Sequence, residues 1–144
     1  MPQEPHVVAR SFFHLLMQNQ CNQCWKIFSK KSQDVFLKWT LKDIYSKNKQ
    51  AAEYAQLGTS EVRLLFENND SSLMKSFWRR FFFVSGSNEF FRFGYFNTAK
   101  TEGGKAVVEI LCKFPDGRIK KSQILMIQKG KEWKFGYIES GLPF

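Results

Sequence analysis

Two histidines and three cysteines are all that this 144-residue chain offers toward imidazole, thiol or metal chemistry. An odd cysteine count does not make the even set that staples small secreted domains. Cys21 and Cys24 form the one close pair, and Cys112 is distant in sequence. A four-ligand zinc site would have to borrow His6, His14 or remote groups. The pair falls between two helices with no strand before it, unlike the redox fold that uses this spacing. The cysteines therefore read as buried, reduced structural residues, and neither a metal nor a cofactor is expected. Long apolar runs are also missing. The longest resemble Phe81 to Val84, far short of the roughly 20 residues that span a bilayer. Met1 to His6 shows no basic stretch leading into an apolar run and no small-residue cleavage site, so no secretory leader is expected. These absences point to a reducing cytoplasm and to no membrane partner. Acidic residues are scarce as well: 13 Asp and Glu face 22 Lys and Arg, for a net charge of +9. That favours anionic partners and is silent on fold.

Aromatic rings are abundant, with 16 phenylalanines lifting Phe, Trp and Tyr to 17% of the chain. So many rings either fill a wide core or line a cavity. The length suits one domain spanning residues 1–144, and no repeat, linker or low-complexity segment interrupts it.

The first half reads as helices. Pro5 is placed to open one, with Val8, Phe12, Leu15 and Leu16 on one face and Arg10, Ser11, His14 and Gln18 on the other, to about Gln20. A short helix carries Trp25, Ile27 and Phe28 and ends near Ser29. Ser32 is the expected cap of a third helix reaching Lys47, whose broad apolar arc (Val35, Phe36, Leu37, Trp39, Leu41, Ile44, Tyr45) implies burial on more than one side. Helical turns follow over Lys49 to Leu57, stopped by Gly58, and over Thr59 to Asn68. A turn cluster spans Asn68 to Ser71. Leu73, Met74, Phe77, Trp78, Phe81 and Phe82 then fit one helical face ending at Gly86, with a strand over Phe77 to Val84 as the competing reading.

The last third alternates with period two. Strands are expected over Glu89 to Asn97, Ala106 to Phe114, Arg118 to Gln128 and Glu132 to Glu139, with a loop over Thr101 to Gly104 and turns at Pro115-Asp116-Gly117 and Lys129 to Lys131. Ala106, Val108, Ile110, Cys112 and Phe114 share the inner face of their strand; Val107, Glu109, Leu111 and Lys113 share the outer one. Trp133, Phe135 and Tyr137 should share a buried face of the last strand. Helices followed by strands give an α+β fold, with N-terminal helices packed on a curved antiparallel sheet.

The strand holding Ala106-Val107-Val108, the Asp-Gly hairpin, the run Leu125-Met126-Ile127, the Gly-containing turn and the ending Trp133-Lys134-Phe135 resemble the nuclear-transport-factor-2-like superfamily of cone-shaped α+β rolls, most of all its bacterial members of unassigned function. The resemblance covers Ala106 to Ile138 and is only topological in the helical half. It implies a curved sheet wrapped around the helices, a cavity open at one end, and a homodimer formed through the outer face of the sheet. It implies no single activity, since isomerases, dehydratases, transport adaptors and plain binding modules share such a fold.

Acid–base catalysis in such a cavity needs an inward carboxylate or imidazole with an oxyanion stabiliser. The inner face of the strand from Ala106 to Phe114 carries no acid, Arg118 to Gln128 offers only Ser122 or Gln123, and His14 lies on a polar helix face. Asp43 with Tyr45 is the one polar pair on a core-bearing helix, and it reads as a surface acid beside a half-buried tyrosine. No catalytic residue is assigned. The expected role is a non-catalytic module that binds an apolar or weakly anionic small molecule, or a protein, through an aromatic-lined cavity built from Phe12, Leu16, Trp39, Tyr45, Ile110 and Cys112. A small enzyme acting on a hydrophobic substrate is the alternative. A nucleic-acid-associated protein ranks third. Lysines crowd both the helical half (Lys26, Lys30, Lys31, Lys38, Lys42, Lys47, Lys49) and the last hairpin turns (Arg118, Lys120, Lys121, Lys129, Lys131, Lys134). Along the sequence they fall in two separate groups, and the Gly-aromatic signature of sheet-type RNA binders is missing.

Overall fold

Pro5 begins helix α1 (Pro5–Met17), its fixed backbone angle suiting the first helical position. In the computed structural model, which describes residues 3–68 and 71–144, six further helices follow: α2 (Cys21–Ile27), α3 (Lys30–Lys47), α4 (Lys49–Tyr54), α5 (Thr59–Glu67), α6 (Ser71–Val84) and α7 (Ser87–Phe93). Four strands complete the described elements: β1 (Gly94–Glu102), β2 (Lys105–Lys113), β3 (Ile119–Lys129) and β4 (Glu132–Gly136). They form one antiparallel sheet in the order β1-β2-β3-β4. The sheet is open, with β1 and β4 as its edges. The fold is α+β.

Hairpin chemistry fixes the meander. Gly103 and Gly104 both take positive φ, 58° and 78°, and close the two-residue turn between Glu102 and Lys105. An extra residue in β1 between Thr98 and Lys100 shifts the register against β2, a bulge that bends the strand. The alternation read from the sequence holds in β2: Val108, Ile110 and Cys112 are fully buried and Ala106 nearly so, while Val107, Glu109 and Leu111 on the other face are half-buried.

The inner face of the sheet and the helices enclose a core of rings. Phe12 lies with its centroid 5.0–5.8 Å from those of Phe13, Phe28, Phe81 and Phe135. Trp25 stacks on Phe66 at 4.0 Å, and Phe77 joins Phe36 and Phe66, each at 5.0 Å. Edge-to-face packing of this kind adds about 0.5–1.5 kcal/mol per pair beyond area burial. Met74, Phe77 and Phe81 bury one face of α6, so the helix prevails over the strand reading there.

Five expectations shift. The loop expected over Thr101 to Gly104 shrinks to Gly103 and Gly104, because Thr101 and Glu102 pair with Ala106 and Lys105 in the β1–β2 ladder. The segment Glu89 to Asn97 is not one strand: α7 occupies its first half and β1 starts at Gly94. Phe90 and Phe93, three apart, suit a helix as well as a strand; Glu89 in the first turn and Arg92 in the last favour the helix dipole. A Cβ at position 94 would lie 2.4 Å from the Phe90 carbonyl oxygen, so the junction demands glycine. Helix α3 begins earlier than expected, because Ser29 is its cap, accepting from the Ser32 amide at 3.2 Å. Gly58 starts α5 rather than closing α4; its amide donates to Glu61 Oε2 at 2.9 Å. Strand β4 ends at Gly136, where the Ser140 amide donates back to the Gly136 carbonyl at 2.8 Å and turns the chain. Tyr137 is buried all the same. The turn expected over Asn68 to Ser71 falls on positions 69 and 70, outside the described residues.

Candidate functional site: a basic trench across the helix–sheet junction

The six residues expected to line a cavity fall in three places. Phe12, Leu16, Ile110 and Cys112 are buried members of the single core cluster. Trp39 lies toward the C-terminus, its ring 5.3 Å from Phe144 and under the Arg80 guanidinium, also at 5.3 Å. Tyr45 is at the α3–α4 end, donating its hydroxyl to the Leu57 carbonyl at 3.1 Å. Asp43 pairs instead with Lys47 at 3.2 Å, one helical turn on. The Asp43–Tyr45 pair is thus divided between two unrelated partners. His14 is exposed, its ring edge on Phe91 at 5.0 Å.

The thiols are structural in setting. Cys24 is buried and its Sγ points at the Phe12 carbonyl at 3.5 Å. Burial pushes its pKa far up, with Cys21 adding to the rise, and burial also raises Cys21 and Cys112. A raised thiol is a weak nucleophile and a weak metal ligand at neutral pH.

One inward carboxylate was not singled out in the sequence. Glu139 Oε1 accepts from the Ser29 and Ser32 hydroxyls, each at 3.0 Å. Ser29 Oγ accepts from the Ser32 amide and Ser32 Oγ from the Ile138 amide, at 3.1 Å. Each hydroxyl proton already has its acceptor. The cluster therefore ties the C-terminal turn to the start of α3, with both hydroxyls engaged in hydrogen bonds that hold the two elements together.

Positive charge converges where the helices meet the last hairpin. Lys26 of α2, Lys30 of α3, Arg63 of α5, Lys129 of β3 and Lys134 of β4 line one surface groove over Phe28 and Gln33, and among the described residues no carboxylate lines it. Phe28 and Ser29 bring the elements together: this two-residue link between α2 and α3 bridges to β4, the Ser29 amide donating to the Phe135 carbonyl at 2.9 Å. Lys134, with a side chain only 21% exposed, donates from Nζ to the Lys26 carbonyl at 2.9 Å and pairs with Glu132 at 3.1 Å. Arg63 is held by Asp34 at 3.6 Å and by Gln33 Oε1 at 3.4 Å, and Gln33 in turn donates to the Trp25 carbonyl at 2.8 Å. Among the described residues, Lys26, Lys30 and Lys129 make no ion pair.

The groove does not end there. A second groove shares Lys26 and Lys134 with the first and adds Lys131, Glu132 and Trp133 on one wall and Val8, Ser11, Leu15 and Ile27 on the other. A third shares Ser11 and Leu15 with the second and adds Arg10 and His14. Neighbouring through these shared residues, the three grooves form a trench-like row from α5 to α1. Two clusters of lysines far apart in sequence supply its charge. No sequence signal pairs Lys26 and Lys30 with Lys129 and Lys134; the β-hairpin and the Phe28–Phe135 bridge do. No protein-family model, curated protein or solved structure matches this chain, so the functional reading rests on the geometry of the trench.

Proposed function

We propose that this protein is a non-catalytic binding module that recognises an anionic partner through the basic trench. The observation that carries the reading is the groove whose five cations come from five different elements with no carboxylate in its lining among the described residues. Like charges brought this close repel one another, and an anionic ligand relieves that repulsion while gaining charge-assisted hydrogen bonds. The aromatic interior, by contrast, supports a packed core: its rings contact one another directly and its largest side chains are fully buried. The nuclear-transport-factor-2-like reading draws its support from the helices-first order and the antiparallel meander, and it fits a binding role.

The test is direct. Wild-type protein should retain polyphosphate or heparin at low salt and release it as salt rises. The variant Lys30→Gln/Lys129→Gln should bind markedly more weakly while melting like wild type. Equal retention of the variant and wild type would end the proposal.

Self-association through the sheet is a second reading. Val107 and Leu111 of β2 and Leu125 and Ile127 of β3 form a half-buried apolar row on the face away from the helices. A dimer by sedimentation that Leu125→Lys dissociates would support it; a monomer at all concentrations would dismiss it.

A further inference from the structure

We infer that the anionic partner is single-stranded nucleic acid, with Trp133 as the platform on which a base stacks. The inference rests on the anion-binding reading and narrows it. The trench supplies two things at once. Cations recur along its length: Lys30 and Lys129 at one end, Lys26, Lys134 and Lys131 in the middle, Arg10 at the other end; among the described lining residues the one carboxylate, Glu132, pairs with Lys134 at 3.1 Å. A chain of phosphates can follow such a row, where a single small anion would use one position only.

The second element is a ring without a ring partner. Trp25, Trp39 and Trp78 each pack against other aromatic rings. Among the described residues Trp133 pairs with none, although it stands two positions from Phe135 at the centre of the ring core. Trp133 is half-buried, packs against the core, and lines the middle of the trench between Lys131 and Lys134. Its apolar surroundings there, Leu15 and Ile27, suit the flat face of a base better than a carboxylate side chain. A duplex would offer phosphates to the trench but hide its base faces from Trp133. An acidic polypeptide would offer charge but no flat ring. The combination of successive cations and one available indole is the pattern that single strands use, and base stacking on it is tolerant of sequence.

The experiment compares four probes by competition against a fluorescein-labelled single-stranded homopyrimidine oligonucleotide at one low salt concentration: the unlabelled strand, a duplex of equal length, inorganic polyphosphate and poly-glutamate matched in charge. The strand should compete best. Trp133→Ala should weaken the strand by about five- to a hundredfold and leave polyphosphate unchanged, with Trp133→Phe restoring most of the loss. Wild-type-like circular dichroism and a cooperative thermal transition well above the assay temperature establish that the variants are folded. The inference is overturned if Trp133→Ala binds the strand like wild type, if it loses strand and polyphosphate equally, or if duplex or poly-glutamate competes as well as the strand. Polyphosphate binding that survives any of these results leaves the anion-binding reading standing. If wild type binds none of the probes, both readings fall.

Discussion

Phe135 and Trp133 differ by two positions and by their whole environment. Phe135 is fully buried, with its centroid 5.0–6.1 Å from those of Phe12, Phe13, Phe28 and Tyr137. Phe135→Ala should cost about 3–5 kcal/mol of unfolding free energy, since the surrounding rings can only partly collapse into the space. Trp133→Ala should cost clearly less, because Trp133 is only half-buried and lines the groove. Chemical denaturation of the two variants measures the difference, and equal losses would place Trp133 in the core. Tyr137 gives a pH test. Burial pushes its pKa up to about 12, partly offset by the charge of Arg80, against about 10 in an unfolded chain. The folded state therefore holds the phenol proton more tightly. The resulting stability is fully present below pH 10 and is lost as pH rises from about 10 toward 12. Ultraviolet titration should show a late-ionising tyrosine that is absent in Tyr137→Phe. A titration unchanged by that substitution would contradict the burial.

At the scale of elements, the C-terminal turn is held to the rest of the protein by side-chain hydrogen bonds. Glu139 receives the Ser29 and Ser32 hydroxyls at the cap of α3, and the Leu125 amide donates to Ser140 Oγ at 2.8 Å. Removing the Glu139 acceptor leaves the Ser29 hydroxyl its bond to Ser32 Oγ at 3.0 Å but strands the hydroxyl proton of buried Ser32. Glu139→Ala should destabilise by about 1.5–3 kcal/mol, in the range of hydrogen bonds to charged groups. Glu139→Gln keeps an acceptor oxygen and should lose less. Should Glu139→Ala melt like wild type, water satisfies the serines and the tie is dispensable. The same cluster explains why α3 starts at Lys30. Ser29 caps the helix through the Ser32 amide, and both serine hydroxyls reach Glu139.

For the whole molecule, the consequence of the trench is a salt dependence. Lys26, Lys30 and Lys129 have no ion-pair partner among the described residues, so each is available to a phosphate. If these three carry the electrostatic contacts, the logarithm of the single-strand affinity should fall with the logarithm of salt at a slope of about −2. Lys129→Gln should make that slope shallower by close to one unit of contact, whereas Trp133→Ala should leave it unchanged. A slope near zero would show that the trench makes no phosphate contacts.

Local pattern determined much of this protein from the sequence alone. Period-two alternation set the faces of β2, since Val108, Ile110 and Cys112 must point one way when Glu109 and Lys113 point the other. Pro5 and the glycine-containing hairpin turns marked element ends, because their backbone preferences are intrinsic. The segment Glu89 to Asn97 was not legible: its aromatic spacing satisfies both periods, and the choice rests on Gly94 and its contact with the Phe90 carbonyl. Nor was the site. The lysines of α2 and α3 stand about a hundred positions from those of the last hairpin, and only the tertiary structure brings them together, through Phe28, Ser29 and the Phe135 carbonyl. Composition fixed how much positive charge the chain carries. Where that charge gathers depends on long-range packing, which no local period records.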